Sequence, residues 1–196
     1  MNNREEKTGT VSLIGKTNVG KSTLLNQLIE QKVSITSRKP QTTRQRLLGI
    51  KTTGKNQIIF VDTPGFHQGQ KRALNKFMNK VALNSIQGVD IVLFVVDSLN
   101  FTEVDQYLLD QMPKDTDNVI LVINKIDKIL KKENLLPFMG NISKSYDFDA
   151  LIPISALDMP DMTARLAIYF EIFVLKQIPR SFIPTFASIL RTAIKE

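Results

Sequence analysis

The stretch GKTNVGKS at residues 15–22 matches the phosphate-binding pattern G-x-x-x-x-G-K-[ST]. It follows the apolar run TVSLIG (10–15) and precedes KSTLLNQLIEQ (21–31), which predicts a loop between a buried strand and a helix. Backbone N–H groups of such a loop surround phosphate oxygens, and the N-terminus of the helix adds a favourable dipole. The residues that we predict to bind a nucleotide here are Gly15, Lys16, Thr17, Asn18, Val19, Gly20, Lys21, Ser22 and Thr23.

Two side chains of this loop have chemical roles that the pattern itself predicts. Lys21 should reach the β- and γ-phosphates, which makes it a catalytic candidate. Ser22 should hold Mg²⁺ through its hydroxyl group. Such patterns also occur by chance, but rarely with a strand before them and a helix after them.

A second motif, DTPG at 62–65, ends a later predicted strand, where a second phosphate sensor belongs. Asp62 can act on Mg²⁺ through water, and the Gly65 N–H can bond the γ-phosphate, so Gly65 is also a catalytic candidate. Thr63 and Pro64 complete the predicted contact segment. The alternative is a simple turn, which is a weak explanation beside a phosphate-binding loop.

The motif NKID at 124–127 predicts the identity of the base. Asp127 can accept hydrogen bonds from both guanine N1–H and the exocyclic amine, a pairing that adenine cannot offer. Asn124 should brace the loop, and the Lys125 side chain should pack over the base. A weaker motif follows the last predicted strand, in which the Ala156 N–H should bond guanine O6; its residues are Ser155, Ala156 and Leu157.

Short β-branched apolar runs alternate with helical stretches along the chain, which predicts an α/β fold of the P-loop GTPase type. We expect a mostly parallel six-stranded sheet with one antiparallel edge strand and helices on both faces. The antiparallel pair should lie within 46–63, joined by a Thr-Gly-Lys-Asn turn. The other predicted strands are 10–15, 90–97, 118–125 and 150–155, and the predicted helices are 21–31, 73–86, 102–112 with Thr102 as N-cap, and one near 161–176.

Composition restricts the class of protein. The chain has 196 residues with 42% hydrophobic content, which suffices for one domain with a sizeable core. It has no cysteine, so disulfides and thiolate metal sites are excluded. The N-terminus lacks the apolar core of a signal peptide, and no apolar run could span a bilayer, so we expect a cytoplasmic protein. A net charge of +7 suits a polyanion such as RNA or, alternatively, peripheral contact with the inner face of the plasma membrane.

With these motifs in this order, the chain resembles the Era family of GTPases. The similarity is dense from about residue 10 to 156 and includes segments that look like the family's switch and linker signatures: ITSRKPQTTRQRLLGI (35–50), VDTPGFHQGQKRALNKFMNKVA (61–82) and LLPF (135–138). Era proteins are GTPases that assist small ribosomal subunit assembly and bind ribosomal RNA through a C-terminal KH domain. The resemblance therefore implies GTP and GDP as ligands and the small ribosomal subunit with its rRNA as partner.

The resemblance also implies further roles within the loops. Thr43 is expected to be the switch threonine that contacts Mg²⁺ beside the γ-phosphate, and Thr42 is the alternative. Relatives with this loop pattern use an asparagine at the position of Asn18 to help hold K⁺, so potassium is the expected second cation. The alternative is that Asn18 only stabilises the loop. Phe66 stands where a Ras-like enzyme has the glutamine that orients the attacking water.

The C-terminal part departs from the family pattern. We expect the GTPase domain to cover 8–178 and a short tail to cover 179–196, with no KH domain, since no G-x-x-G loop follows residue 65. RNA binding of the KH type is therefore in doubt. Two other functions compete with GTP hydrolysis: a guanine-nucleotide-binding module with little turnover, and an ATP-using P-loop enzyme, against which NKID argues.

Overall fold

The computed structural model describes residues 7–31, 47–66, 73–113, 116 and 118–157 of the chain. Two short 3₁₀ turns, Ile126–Lys128 and Lys132–Asn134, lie in the connection between the fifth strand and the fourth helix. In chain order the strands and helices are β1 Thr8–Ile14, α1 Lys21–Ile29, β2 Leu47–Thr53, β3 Asn56–Asp62, α2 Ala73–Asn84, β4 Ile91–Asp97, α3 Glu103–Asp110, β5 Val119–Asn124, α4 Leu135–Ile142 and β6 Ala150–Pro153.

Within the described residues, six strands form one sheet in the order β2-β3-β1-β4-β5-β6. Neighbouring strands are parallel except for β2 and β3, which are antiparallel and connected through Gly54 and Lys55. A two-residue connection can join only antiparallel strands, whereas parallel strands need a longer crossover. Because β2 lies at the edge, the predicted mostly parallel sheet with one antiparallel edge strand is confirmed.

Helix α1 covers one face of the sheet. Its residues Leu24, Leu25 and Leu28 have no solvent exposure, as expected of apolar residues spaced one helical turn apart. They belong to a core that alternate residues of the strands complete: Val11, Leu13, Ile58, Phe60, Leu93, Val95 and Val122. The phosphate-binding loop therefore leads directly from a central strand into a helix that is anchored by burial.

The other face of the sheet packs against α3 and α4. Leu108 and Leu109 of α3 and Met139 and Ile142 of α4 are buried there. The strand residues facing them are Val92, Phe94, Val96, Leu121 and Ile123. Both faces of β4 and β5 are thus covered, which explains why these strands are continuous apolar runs rather than alternating ones. Helices on both faces, as predicted, are confirmed.

Helix α3 starts where the sequence predicts. Thr102 lies just before it and forms a capping box with Asp105, whose Oδ2 accepts from the Thr102 N–H at 2.8 Å and from the Thr102 hydroxyl at 2.8 Å. Helix α4, in contrast, was not predicted, because its sequence LLPFMGNI contains a proline and a glycine. Pro137 lies in the first turn, where a helix does not need the missing N–H.

Several predictions concern residues outside the described ranges. They include the helix near 161–176 and the tail 179–196, so the predicted domain boundary at 178 stays a prediction. The segments 32–46 and 67–72 also lie outside these ranges. Across the described ranges, no helix is long and apolar enough to cross a membrane.

Candidate nucleotide-binding site

Four segments of the chain lie beyond the carboxyl ends of β1, β3, β5 and β6. They are the loop 15–20, the segment 62–66, the NKID segment 124–127 and residues 155–157. Because these strands are parallel, their carboxyl ends meet at one edge of the sheet, and open α/β sheets bind ligands at that edge. Every motif predicted from the described part of the sequence therefore reaches the same site.

The loop between β1 and α1 depends on a close approach to the NKID segment. Gly20 has φ 100°, which residues with a side chain rarely adopt, and a Cβ there would lie 2.2 Å from Asn124 Nδ2. Asn18 has φ 63°, a left-handed conformation that asparagine tolerates. The Val19 side chain has no solvent exposure and anchors the loop in the core. The conformation of the loop is thus fixed by its contact with Asn124 and by the burial of Val19.

Lys21 begins α1 and directs its ammonium group back towards the loop. Its Nζ donates to the carbonyl of Gly15 at 3.0 Å and to the carbonyl of Lys16 at 2.8 Å. Burial lowers the pKa of Lys21 to about 8, while the negative charges of Asp62 and Asp105 act in the opposite direction. A buried cation at the N-terminus of a helix is suited to neutralise phosphate oxygens.

Ser22 and Asp62, the two described residues that we predicted to act on a metal, lie next to each other. The Ser22 hydroxyl donates to Asp62 Oδ2 at 3.0 Å, and Asp62 has no solvent exposure. A hydroxyl and a carboxylate are hard oxygen donors, which Mg²⁺ prefers, and this ion is commonly bound through one or two protein groups together with phosphates and water. These residues therefore fit Mg²⁺.

The segment after β3 lies against the phosphate-binding loop. A Cβ on Gly65 would lie 2.7 Å from Thr17 Cα, so only glycine allows this approach. The Thr63 hydroxyl donates to the Leu13 carbonyl at 2.6 Å, which fixes the segment to β1. The predicted pair of loops, one from each strand, is thus in direct contact.

Phe66 is a core residue rather than a group at the reaction centre. Its side chain is only 5% exposed, belongs to the core beside α3 and lies 5.6 Å from the Tyr107 ring, centroid to centroid. Its backbone N–H donates to the Gly15 carbonyl at 3.1 Å, and its carbonyl accepts from the Thr17 N–H at 3.2 Å. The position that holds glutamine in Ras-like enzymes serves here to attach the segment 62–66 to the loop.

Asn124 connects three of the segments. Its Nδ2 donates to the Val19 carbonyl at 2.8 Å, and its Oδ1 accepts from the N–H groups of Lys125 at 2.8 Å and Ala156 at 3.0 Å. The predicted bracing role of Asn124 agrees with this geometry. The Ala156 N–H, predicted to bond guanine O6, is held by Asn124 in this structure.

The side chain of Lys125 reaches from the NKID segment to the phosphate-binding loop. Its Nζ donates to the Asn18 carbonyl and to Asp97 Oδ2 at 2.6 Å. Lys125 itself has φ 66°, and the Ser98 hydroxyl donates to its carbonyl at 2.9 Å. The side chain therefore joins the NKID segment to the phosphate-binding loop, and its packing over a base stays a prediction.

Asp127 is held in place by the last motif. Its Oδ1 accepts from the Ser155 hydroxyl at 2.6 Å, and Ser155 has no solvent exposure whereas Asp127 is exposed. Leu157 is 69% exposed at the end of the described chain. The Asp127 carboxylate thus faces solvent in an orientation that a buried hydroxyl determines, which suits a ligand-binding acceptor.

Thr43, the third predicted metal residue, lies outside the described residues, as does its alternative Thr42. Among the contacts of the site that were not predicted are two ion pairs, one between Lys16 and Asp105 and one between Lys125 and Asp97. The spacing Thr102-x-x-Asp105 does indicate a capping box, but not its link to the loop.

Comparison with known proteins supports these motifs as a set. Residues 10–125 match the model of the family described as "50S ribosome-binding GTPase". The protein named GTPase Era from Marinobacter nauticus is 52% identical over 155 residues, which are 79% of this chain and 51% of that protein. The chain spans about half the length of the curated relatives it matches.

Solved structures show the same similarity. An Era variant from Aquifex aeolicus bound to GDP and AlF4⁻ has a TM-score of 0.73 and 40% identity, covering 83% of this chain and 57% of that one. A structure of Era with MgGDPNP and nucleotides 1506–1542 of 16S ribosomal RNA has a TM-score of 0.74 and 39% identity, covering 84% and 57%. The P-loop GTPase fold predicted from the sequence is thereby confirmed.

Proposed function

Because the chain belongs to the Era family of GTPases, we propose that it binds GTP with Mg²⁺ and hydrolyses it to GDP and phosphate. The observation that carries this proposal is the set of hydrogen bonds made by Asn124, which joins the loop 15–20, the NKID segment and residues 155–157 into one site. These segments are the ones whose sequences predict binding of phosphates and of guanine.

Guanine specificity is assigned to Asp127. Its carboxylate would accept from guanine N1–H and from the exocyclic amine, with Lys125 over the base. The Ala156 N–H would reach O6 only by leaving Asn124 Oδ1, to which it donates at 3.0 Å in this structure. The Asp127→Asn variant presents an N–H donor to the exocyclic amine of guanine, which is itself a donor, so GDP affinity should fall. Xanthosine diphosphate, with an acceptor oxygen in place of the amine, should become the better ligand. Competition binding with both nucleotides tests this, and Asp110→Asn, an exposed carboxylate on α3, is the matched control. An unchanged preference in Asp127→Asn would refute the assignment.

Phosphate binding and catalysis are assigned to Lys21, Gly65 and Thr43. The buried Lys21 ammonium would neutralise the β- and γ-phosphates, and the Gly65 N–H would bond the γ-phosphate. Ser22 and Asp62 would hold Mg²⁺ together with Thr43, with Thr42 as the alternative. Mg²⁺ held there would supply positive charge that offsets the negative charge developing during phosphoryl transfer.

Position 66 offers no carboxamide to orient the attacking water, because it is a phenylalanine. The Phe66 side chain is, in addition, buried in the core. We propose that Asn18 would help to hold K⁺, which would supply positive charge to the transition state. The exposure of Asn18, which lies within the loop 15–20, supports this, whereas its left-handed backbone suits the alternative of a purely structural asparagine. Hydrolysis should be faster in potassium than in sodium at equal ionic strength, and Asn18→Ala should abolish the difference while GDP binding persists. Equal rates in both salts would refute the role of potassium.

A role in small ribosomal subunit assembly is proposed from the relatives. Era has been solved with a segment of 16S ribosomal RNA, and the net charge of +7 of this chain suits a polyanionic partner. Co-sedimentation with small ribosomal subunits in GTP and in GDP tests the proposal. Binding that depends on the nucleotide supports it, and absence of the chain from the pellet in both states contradicts it.

We also propose that the GTPase domain extends over 8–178 and that the protein acts in the cytoplasm, with peripheral contact at the inner membrane face as the alternative. The basic charge is compatible with either location. Fractionation of cells in low and high salt separates the two, because contact through charge alone is released by salt.

A further inference from the structure

A lysine of the phosphate-binding loop is tied to a helix that carries none of the nucleotide motifs. Lys16 Nζ donates to Asp105 Oδ2 at 2.8 Å and to the Asn100 carbonyl at 2.7 Å. Asp105 belongs to the first turn of α3 and has no solvent exposure, and the Lys16 side chain is 15% exposed. A buried carboxylate of this kind requires a partner, because an uncompensated charge inside the protein is costly.

The acceptor atom of this ion pair is also the centre of the capping box. Asp105 Oδ2 accepts from the Thr102 N–H and the Thr102 hydroxyl as well as from Lys16. The carboxylate therefore cannot change its orientation without disrupting the start of α3. Lys16 is thus held by a group whose own position is set by a helix terminus.

The backbone of Lys16 is held on the other side by the groups that would act on phosphate. The Lys16 carbonyl accepts from Lys21 Nζ at 2.8 Å. On either side of it, the Gly15 carbonyl and the Thr17 N–H are bonded to the backbone of Phe66, in the segment after β3. A movement of Lys16 would therefore displace the acceptor of the Lys21 ammonium and the attachment of Gly65 and Phe66.

We propose that Asp105 is a positioning residue for nucleotide binding, which acts through its ion pair with Lys16 to hold the phosphate-binding loop and the Lys21 ammonium in place. The inference rests on the proposed function, since it deepens the account of the phosphate site. It places a contribution to that site on α3, outside the loop 15–22 and the segments 62–66, 124–127 and 155–157.

Two effects of Asp105 on nucleotide binding can be told apart: its role in holding the loop and the electric field of its charge. Asp105 is a negative charge near the phosphate site, so its field alone opposes the binding of a nucleotide anion. Removing that charge in Asp105→Asn should tighten binding if the field alone matters. If Asp105 positions the loop, the same variant should weaken binding.

The test measures affinity for N-methylanthraniloyl-GDP by fluorescence titration, with circular dichroism to confirm folding at the assay temperature. Asp105→Asn and Lys16→Met should each lower affinity by roughly tenfold or more, whereas Lys16→Arg, which keeps the charged donor, should lose less affinity than Lys16→Met. The control is Lys51→Met, which removes a lysine from the exposed pair with Glu30 and should have no effect.

The double variant Lys16→Met with Asp105→Asn keeps the net charge of the site and avoids a buried unpaired charge, so it should fold if a single variant does not. Positioning predicts that it binds as weakly as the single variants. Wild-type affinity in the folded double variant, or unchanged or tighter binding in folded Asp105→Asn, would overturn the proposal. A wild-type chain that binds no GDP would instead contradict the proposed function.

Discussion

Ser155→Ala is expected to weaken the recognition of guanine by loosening Asp127. The Ser155 hydroxyl donates to Asp127 Oδ1 at 2.6 Å. This short distance is typical of a charge-assisted hydrogen bond. Hydrogen bonds to charged groups contribute about 1.5–3 kcal/mol, but Asp127 is exposed and water can replace part of the bond. We therefore expect a loss of about 1 kcal/mol, or roughly fivefold in affinity for GDP.

The assay compares the dissociation constants of GDP and inosine diphosphate. Inosine diphosphate lacks the exocyclic amine, so it makes only one of the two predicted bonds to Asp127. If the Asp127 carboxylate becomes disordered, GDP should lose more affinity than inosine diphosphate does. The ratio of the two dissociation constants should therefore move towards one. Ser143→Ala is the control, since it removes an exposed hydroxyl that donates to the Gly140 carbonyl at the end of α4. If Ser155→Ala binds both nucleotides as Ser143→Ala does, Asp127 does not need Ser155 for guanine binding.

Three further predictions concern the ammonium, the core and the tail. In nucleotide-free protein without Mg²⁺, the free energy of unfolding should rise between about pH 7 and about 11 by up to about 3 kcal/mol, because folded Lys21 loses its proton near its pKa of about 8 and unfolded lysine near 10.5; a denaturant titration of Lys21→Met that shows the same rise would contradict this. Phe66→Gln should lower the free energy of unfolding by about 3 kcal/mol without accelerating GTP hydrolysis, since the carboxamide would enter the core beside Tyr107; urea unfolding and single-turnover assays check it, and a faster enzyme would show that position 66 does face the nucleotide. Deleting 179–196 should leave GDP affinity intact if the domain ends at 178, and loss of folded protein on gel filtration would place the tail in the domain.

The sheet was predictable because strands that are buried on both faces have a recognisable apolar sequence pattern. Strands β4 and β5 are continuous apolar runs, and each motif follows a strand, which places the motifs at one edge of a parallel sheet. Helix α4 was not predictable in this way, since Pro137 and Gly140 lower the helix propensity of its sequence. Its packing against the core, chiefly through Met139 and Ile142, stabilises it instead.

The contacts between motifs were less predictable than the motifs. The sequence shows that Phe66 lacks the polar group of the glutamine in Ras-like enzymes. It does not show that the Phe66 side chain packs into the core, because that packing depends on the position of α3. The pairing of Lys16 with Asp105 joins residues that are far apart in the sequence, and neither residue type nor spacing indicates it. The sequence also gives no indication that Ser155 and Asp127, which belong to two separate motifs, are hydrogen-bonded to each other.

Single-turnover hydrolysis by the purified chain tests the central claim most directly. With protein in excess over radiolabelled nucleotide and Mg²⁺ present, we expect GTP to be converted to GDP and phosphate while ATP stays intact. Lys21→Ala should remove this activity, because the ammonium that the carbonyls of Gly15 and Lys16 hold would be lost. Tight GDP binding without any conversion of GTP would show a guanine-nucleotide-binding module instead of a GTPase, and hydrolysis of ATP at the same rate would contradict the assignment of guanine specificity to Asp127.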